Sequence, residues 1–135
     1  MINSNKLNNI LKNNSKETYI ISEIGINHNG SLDIALKLIY KSYEAGVDAV
    51  KFQKRNLEKI YSKHILDDSN SAEWNFEYLI PLLQELELSK EDYLEIKKTC
   101  EKLDLDLIIT PMDEESVEFL STLGIKAFKI ASADM

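Results

Sequence analysis

Four polar residues lie at or near the ends of short apolar runs, where they could bind an anion together. They are Glu23, Lys51, Thr110 and Lys129. Two ammonium groups and one carboxylate leave a net positive charge, and an ammonium inside a protein is costly unless it has a partner. A phosphate or carboxylate group of a ligand would be such a partner. These residue types therefore predict an anion-binding site, provided that the fold brings them together.

The apolar runs alternate with stretches of helical periodicity, which is typical of parallel strands joined by crossover helices. Strands are predicted over 19–24, 47–53, 105–110 and 125–131, and helices are predicted to begin at Ser31, Ser89 and Asp113. The stretch 54–88 is the least regular part, with a predicted helix from Trp74 to Leu86 that contains Pro81. A stretch of this length after a strand is often a functional loop.

Two segments, 46–51 and 124–129, share the pattern glycine, β-branched residue, any residue, alanine, apolar residue, lysine. Because side chains alternate across a strand, the pattern predicts that Lys51 and Lys129 point to the barrel interior at the same depth. The apolar residues expected to face the helices are Val50, Phe52, Phe128 and Ile130. We therefore predict a (β/α) barrel, in which enzymes place their chemistry at the C-terminal rim of the strands.

Two other interpretations of the lysines stay open. In a purely structural one, Glu23 forms an ion pair with one lysine and the other lysine reaches solvent. In an enzymatic one, desolvation turns Lys51 or Lys129 into the nucleophilic amine of a Schiff-base aldolase or lyase.

His28, His64 and Cys100 are weaker candidates for chemistry. The two histidines are far apart in the sequence and neither has a second ligand at helical spacing, so we expect no metal site within this chain. His28 is expected to order its loop or to lie beside the substrate. Cys100 lies on the apolar stripe of the helix that begins at Ser89, so we expect a core thiol.

Length and composition limit the remaining possibilities. The 135 residues allow one domain, and 16 Lys and Arg residues against 23 Asp and Glu residues give a net charge of −7. This balance argues against a nucleic-acid or anionic-membrane binder, which needs a basic surplus. With one cysteine and no long apolar run, a cytoplasmic protein is expected. Residues 1–17 are rich in asparagine and predict a flexible leader before the domain 18–135.

Four segments of the chain resemble the sialic acid synthase family, which includes the legionaminic and pseudaminic acid synthases. They are 21–30 (Ile-Ser-Glu-Ile-Gly-Ile-Asn-His-Asn-Gly), 50–53 (Val-Lys-Phe-Gln), 109–111 (Ile-Thr-Pro) and 128–134 (Phe-Lys-Ile-Ala-Ser-Ala-Asp). The resemblance implies a TIM (β/α)8 barrel, of which this chain holds the first four β/α units. It also implies an enzyme that condenses phosphoenolpyruvate with an N-acylmannosamine-type sugar to a nine-carbon ulosonic acid.

The resemblance further implies roles for individual residues. Those expected to contact phosphoenolpyruvate are Lys51, Thr110, Lys129 and Ser132, and those expected to contact the sugar are Gln53 and Asp134. Glu23 resembles the catalytic acid near the reacting carbons. A divalent metal, Mn²⁺ or Mg²⁺, is expected in the full-length enzyme with ligands outside this chain, as are a C-terminal antifreeze-like domain and a homodimer. The chain alone is expected to be inactive, or to be a remnant that acts as an interaction partner.

Overall fold

The computed structural model describes residues 3–12, 18–68, 76–132 and 135 of the chain. The helices are α1 (Asn3–Leu11), α2 (Leu32–Glu44), α3 (Leu57–Ile60), α4 (Lys63–Asp67), α5 (Phe76–Leu86), α6 (Lys90–Lys102) and α7 (Glu114–Thr122). The strands are β1 (Ile21–Gly25), β2 (Ala49–Lys54), β3 (Asp106–Pro111) and β4 (Ala127–Phe128). Each strand lies within a few residues of a predicted one, so the predicted alternation of strands and helices is confirmed.

The four strands form one parallel sheet in the order β1-β2-β3-β4. Consecutive strands are therefore neighbours, and at least one helix lies between each strand and the next along the chain. Sequential parallel strands joined by helices are the repeating unit of a (β/α) barrel. The fold is an α/β fold with the architecture of a partial TIM barrel.

Side-chain hydrogen bonds fix the beginnings of the helices α2, α6 and α7. The Ser31 hydroxyl accepts from the backbone N–H of Ile34 at the start of α2. Ser89 and Asp92 form a capping box at α6, and Asp113 accepts from the N–H of Ser116 at α7. These caps satisfy amides that have no partner inside the helix, so the predicted helix starts are confirmed.

One face of the sheet packs against the helices and forms the core. Buried there are Ile24, Val50, Phe52, Ile109, Ala35, Ile39, Tyr93, Ile96, Cys100 and Leu120. Val50 and Phe52 therefore face the helices as predicted, and Lys51 between them faces the other side of the sheet. Cys100 is 1% exposed, which confirms that it is a core residue.

One prediction on local structure needs correction. The fourth strand, predicted over 125–131, is limited to Ala127–Phe128. Phe128 is the register partner of core residue Ile109 and so lies on the helix face as predicted, but Phe128 and Ile130 remain 37% and 64% exposed. The reason is that β4 is an edge strand that pairs with β3 alone, at Ile108 and Ile109.

The predicted leader 1–17 contains the regular helix α1, although its flexibility stays a prediction. The irregular stretch 54–88 carries α3, α4 and α5, with Pro81 inside α5. Trp74 lies outside the described residues.

Candidate active site

Lys51 lies at the centre of a polar cluster on the sheet face away from the helices. Its ammonium Nζ is 2.9 Å from Glu23 Oε1 on β1 and donates a hydrogen bond of 3.2 Å to Thr110 Oγ1 on β3. The Lys51 side chain is 11% exposed, whereas that of Glu23 is 57% exposed. Three neighbouring strands thus supply the cluster, and Thr110 is two residues nearer the carboxyl end of the sheet than the residue paired with Lys51, Ile108. The ammonium is turned toward the C-terminal rim.

Gln53, the next residue on the same face of β2, is held by two contacts. Its side-chain Oε1 accepts a hydrogen bond from the Arg55 guanidinium, and its backbone carbonyl accepts one from the Tyr93 hydroxyl. Burial raises the pKa of Tyr93, with a further contribution from the negative charge of Glu87, so the hydroxyl remains a donor. Glu23 Oε1 and Gln53 Nε2 lie 3.5 and 3.6 Å from the position that a Cβ on Gly25 would occupy. The two side-chain groups therefore approach the same backbone position.

His28 orders the loop that follows β1. Its ring is 1% exposed, stacks on Phe52 with centroids 6.0 Å apart, and accepts the backbone N–H of Gly30 at Nδ1 over 3.2 Å. Burial lowers the pKa of His28, because the charged form would lose its hydration. A neutral ring that accepts at Nδ1 carries its proton on Nε2. These contacts agree with the predicted loop-ordering role of His28, and its alternative position beside the substrate stays a prediction.

Lys129 and Ser132 are exposed residues beyond β4, and their side chains make no hydrogen bond or ion pair with Glu23, Lys51 or Thr110. The Lys129 backbone N–H donates to the Ile109 carbonyl over 3.1 Å. Asp134, predicted to contact the sugar, lies outside the described residues.

The strand register relates the two lysines. Lys51 aligns with Ile108, and Ile108 aligns with Ala127, so Lys129 lies two residues further along the register than Lys51. Because the strands of a barrel are tilted and staggered, and alternate strands contribute to one interior layer, equal depth of the two lysines stays a prediction. Within the chain, the structural interpretation describes the observed contacts: Glu23 pairs with Lys51, and Lys129 reaches solvent.

Two buried charged residues, Arg55 and Asp106, are not marked by any pattern in the sequence. Arg55 is 7% exposed and its Nε lies 3.4 Å from Glu87 Oε1, while Lys54 Nζ lies 3.0 Å from Glu87 Oε2. At the opposite end of the sheet, Asp106 is 4% exposed and accepts from the Tyr19 hydroxyl at 2.6 Å. Such pairs join residues that are remote in sequence, so no local pattern marks them.

Among the described residues, no group of three or more His, Cys, Asp or Glu side chains could hold a metal ion. The divalent metal that the resemblance implies, with ligands outside this chain, stays a prediction. No helix in the described part of the chain is both long and apolar enough to cross a membrane.

Sequential parallel strands with polar residues gathered at their carboxyl ends define the class of (β/α)-barrel enzymes. Residues 38–135 match the NeuB family. The chain belongs to this family, and the resemblance to sialic acid synthases is confirmed.

The relatives include enzymes named for different products. The chain is 36% identical over 140 residues to the N,N'-diacetyllegionaminic acid synthase of Legionella pneumophila, covering 100% of this chain and 39% of that protein. It is 39% identical over 118 residues to the N-acetylneuraminate-9-phosphate synthase of Drosophila melanogaster, covering 86% of this chain and 32% of that protein.

A solved structure agrees with the fold. The N-acetylneuraminic acid (sialic acid) synthetase of Leptospira borgpetersenii, in complex with citrate, superposes with a TM-score of 0.71 at 28% identity, over 87% of this chain and 38% of that one. The chain thus spans less than two fifths of the length of these three proteins.

Proposed function

We propose that this chain provides the phosphoenolpyruvate-binding part of a synthase that condenses phosphoenolpyruvate with an N-acylated mannosamine-type sugar to a nine-carbon ulosonic acid. The observation that carries the proposal is the Lys51 ammonium, held at the C-terminal rim by Glu23 and Thr110. An ammonium has three N–H donors, and these two contacts use two of them. The third is available to a ligand oxygen.

Lys129 adds a second positive charge on the same side. Lys129 lies one residue beyond β4 and two residues after Ala127, so alternation along the strand puts both on the same face of the sheet. The residue is exposed. Lys51 and Lys129 against Glu23 leave one net positive charge at the rim, which favours an anionic ligand. We assign the phosphate and carboxylate of phosphoenolpyruvate to these two lysines, with Thr110 and Ser132 as neutral hydroxyl donors.

Glu23 is assigned to the reacting carbons. In the proposed reaction the enol carbon attacks the aldehyde of the open-chain sugar, water then attacks C2, and phosphate leaves with cleavage of the C–O bond. The exposed carboxyl group of Glu23 is placed to orient that water and to stabilise the positive charge that develops at C2. Gln53 and Asp134 are assigned to the sugar. No step is assigned to a metal, because the described residues offer no ligand set.

Binding is tested by titrating phosphoenolpyruvate into the chain and following the backbone amide signal of Thr110, which neighbours Lys51, by NMR. We expect saturable shifts in the wild type, binding about 10- to 100-fold weaker in Lys51→Met and at least tenfold weaker in Lys129→Met. Equal binding by the wild type and both variants would contradict the assignment.

The reaction is tested in one polypeptide that joins residues 1–135 to the part of the Legionella pneumophila synthase that follows its aligned segment. We expect release of phosphate from phosphoenolpyruvate that depends on an N-acylated amino sugar. Asp134→Ala should reduce use of the sugar more than use of phosphoenolpyruvate. An effect on phosphoenolpyruvate alone would mean that the two subsites are interchanged.

The alternative of a Schiff-base aldolase or lyase is tested by borohydride treatment of the chain in the presence of pyruvate. An ammonium that is paired with a carboxylate lacks the free lone pair that attacks a carbonyl. We therefore expect no covalent capture on Lys51. Trapping of pyruvate on Lys51 or Lys129 would replace the synthase proposal by an aldolase or lyase.

A further inference from the structure

Arg55 is a buried cation directly beyond β2 that the proposed reaction does not use. Only 7% of the residue is exposed, and its guanidinium donates to the side-chain Oε1 of Gln53. Desolvating a guanidinium costs free energy that must be recovered by contacts. The position of Arg55 therefore calls for an explanation beyond a solvated surface charge.

The contacts of Arg55 come from two separate parts of the chain. Glu87, between α5 and α6, places Oε1 3.4 Å from Arg55 Nε and Oε2 3.0 Å from Lys54 Nζ. Lys54 Nζ also donates to the Arg55 carbonyl over 2.9 Å. Glu87 thus holds two consecutive basic residues, and the segment before α6 is tied to the end of β2.

The chemistry of the guanidinium decides which way the Gln53 amide is turned. Arginine has donors and no acceptor, so the amide atom that faces it must be the oxygen. The amide NH₂ is then directed away from Arg55, and Nε2 lies 3.6 Å from the Cβ position of Gly25, which Glu23 Oε1 also approaches at 3.5 Å. Without Arg55, either end of the amide could face the site.

We infer that Arg55 is a positioning residue, which Glu87 anchors and which fixes the Gln53 amide with its NH₂ toward the rim. Gln53 then offers donors alone, and it selects a ligand atom that accepts, such as a hydroxyl or amide carbonyl oxygen of the sugar. The identity of that ligand rests on the proposed function. The orientation of the amide does not.

The first measurement is made on the 135-residue chain without ligand. The side-chain NH₂ signals of Gln53 are identified in a ¹⁵N-labelled sample by their loss in Gln53→Glu. We expect two separate proton signals in the wild type, shifted from the values of a free glutamine. In Arg55→Met the two signals should move to the chemical shifts of a free glutamine side chain. Arg55→Lys should restore the wild-type shifts in part.

The control is Lys59→Met, which removes an exposed lysine of α3 that lies 3.9 Å from Glu115. It should leave the Gln53 signals unchanged. Because Arg55→Met removes one of two cations beside the partly buried Glu87, the double variant Arg55→Met/Glu87→Gln is measured as well. It keeps the local charge balanced and should show the same loss of amide order. Unchanged Gln53 signals in the double variant would overturn the inference.

The second measurement compares two ligands, N-acetylmannosamine and phosphoenolpyruvate. We expect Arg55→Met to weaken binding of N-acetylmannosamine at least tenfold and binding of phosphoenolpyruvate less than twofold. Equal weakening of both would show a general structural effect and overturn the positioning role. If the wild type binds neither ligand, the proposed function fails, and the Gln53 amide signals still decide the role of Arg55.

Discussion

The ammonium of Lys51 and the carboxylate of Glu23 form an ion pair of 2.9 Å between register partners of β1 and β2. Its two members differ in environment, because the lysine side chain is 11% exposed and the glutamate side chain is 57% exposed. Loss of the lysine would leave a carboxylate that water can hydrate. Loss of the carboxylate would leave a largely buried ammonium with Thr110 as its neutral partner. The lysine is therefore the member that can be removed with little effect on folding.

Lys51→Met is expected to separate binding from stability. The free energy of unfolding should change by less than about 1 kcal/mol, since the Glu23 carboxylate that remains is 57% exposed and can be hydrated. Phosphoenolpyruvate should bind about 10- to 100-fold more weakly, which corresponds to the loss of one charge-assisted hydrogen bond of about 1.5–3 kcal/mol. Denaturant unfolding and an NMR titration measure the two quantities.

Lys126→Met is the matched control for this prediction. Lys126 lies 3.5 Å from Asp106, which is 4% exposed and belongs to the opposite end of the inner sheet face. Removing this lysine leaves a buried carboxylate with fewer partners, so it should lower stability while phosphoenolpyruvate binding is kept. If Lys126→Met weakened phosphoenolpyruvate binding as much as Lys51→Met does, the assignment of Lys51 would be contradicted.

The strands, the helix starts and the face of Lys51 could be predicted from the sequence, because alternation and caps are local patterns. The register between the strands could not, since it depends on contacts between residues that are far apart in the sequence. It places Lys129 two residues further along the sheet than Lys51. The Arg55–Glu87 pair was missed for the same reason, because its members meet only after β2 and the segment before α6 are in place.

His28 predicts a pH dependence of stability. Burial lowers the pKa of His28 in the folded chain from the ordinary value of 6.5. The unfolded chain therefore binds a proton at a higher pH than the folded chain, and the free energy of unfolding should fall as pH drops below about 6.5. The slope contributed by this residue cannot exceed about 1.4 kcal/mol per pH unit. This pH dependence is measured by urea unfolding at several pH values, from pH 8 down to the lowest pH at which the chain is still folded.

The contribution of His28 is isolated by repeating the series with His28→Gln. Glu87 acts in the opposite direction, because burial raises its pKa in the folded chain and stability falls as pH rises through that range. Subtracting the variant curve from the wild-type curve removes this background. A difference curve that is flat below pH 6.5 would mean that His28 is protonated equally in both states.

Cys100 should report unfolding through its reactivity. The thiol is 1% exposed, and burial raises its pKa to about 12, so the reactive thiolate is scarce in the folded chain. With a thiol reagent at pH 8, we expect labelling at least about a thousandfold slower than in denaturant, following the population of the unfolded state. Labelling in native buffer at the rate of the denatured chain would show that the thiol is not covered by the core against which α6 packs.

Gly30 and Gly46 offer a comparison of two glycines with left-handed backbone angles. Their φ values are +69° and +76°, so alanine is strained at both positions, by about 1–2 kcal/mol. A Cβ on Gly30 would also lie 2.3 Å from the backbone carbonyl oxygen of Glu85, whereas a Cβ on Gly46 would meet nothing within 4 Å. Because a backbone oxygen cannot rotate away as a side chain can, Gly30→Ala must displace α5 from the loop after β1.

We expect Gly30→Ala to lower the free energy of unfolding by about 1–3 kcal/mol more than Gly46→Ala does. It should also disturb the His28 ring signals, since the Gly30 N–H donates to that ring. Equal melting temperatures of the two variants would contradict the contact between this loop and α5.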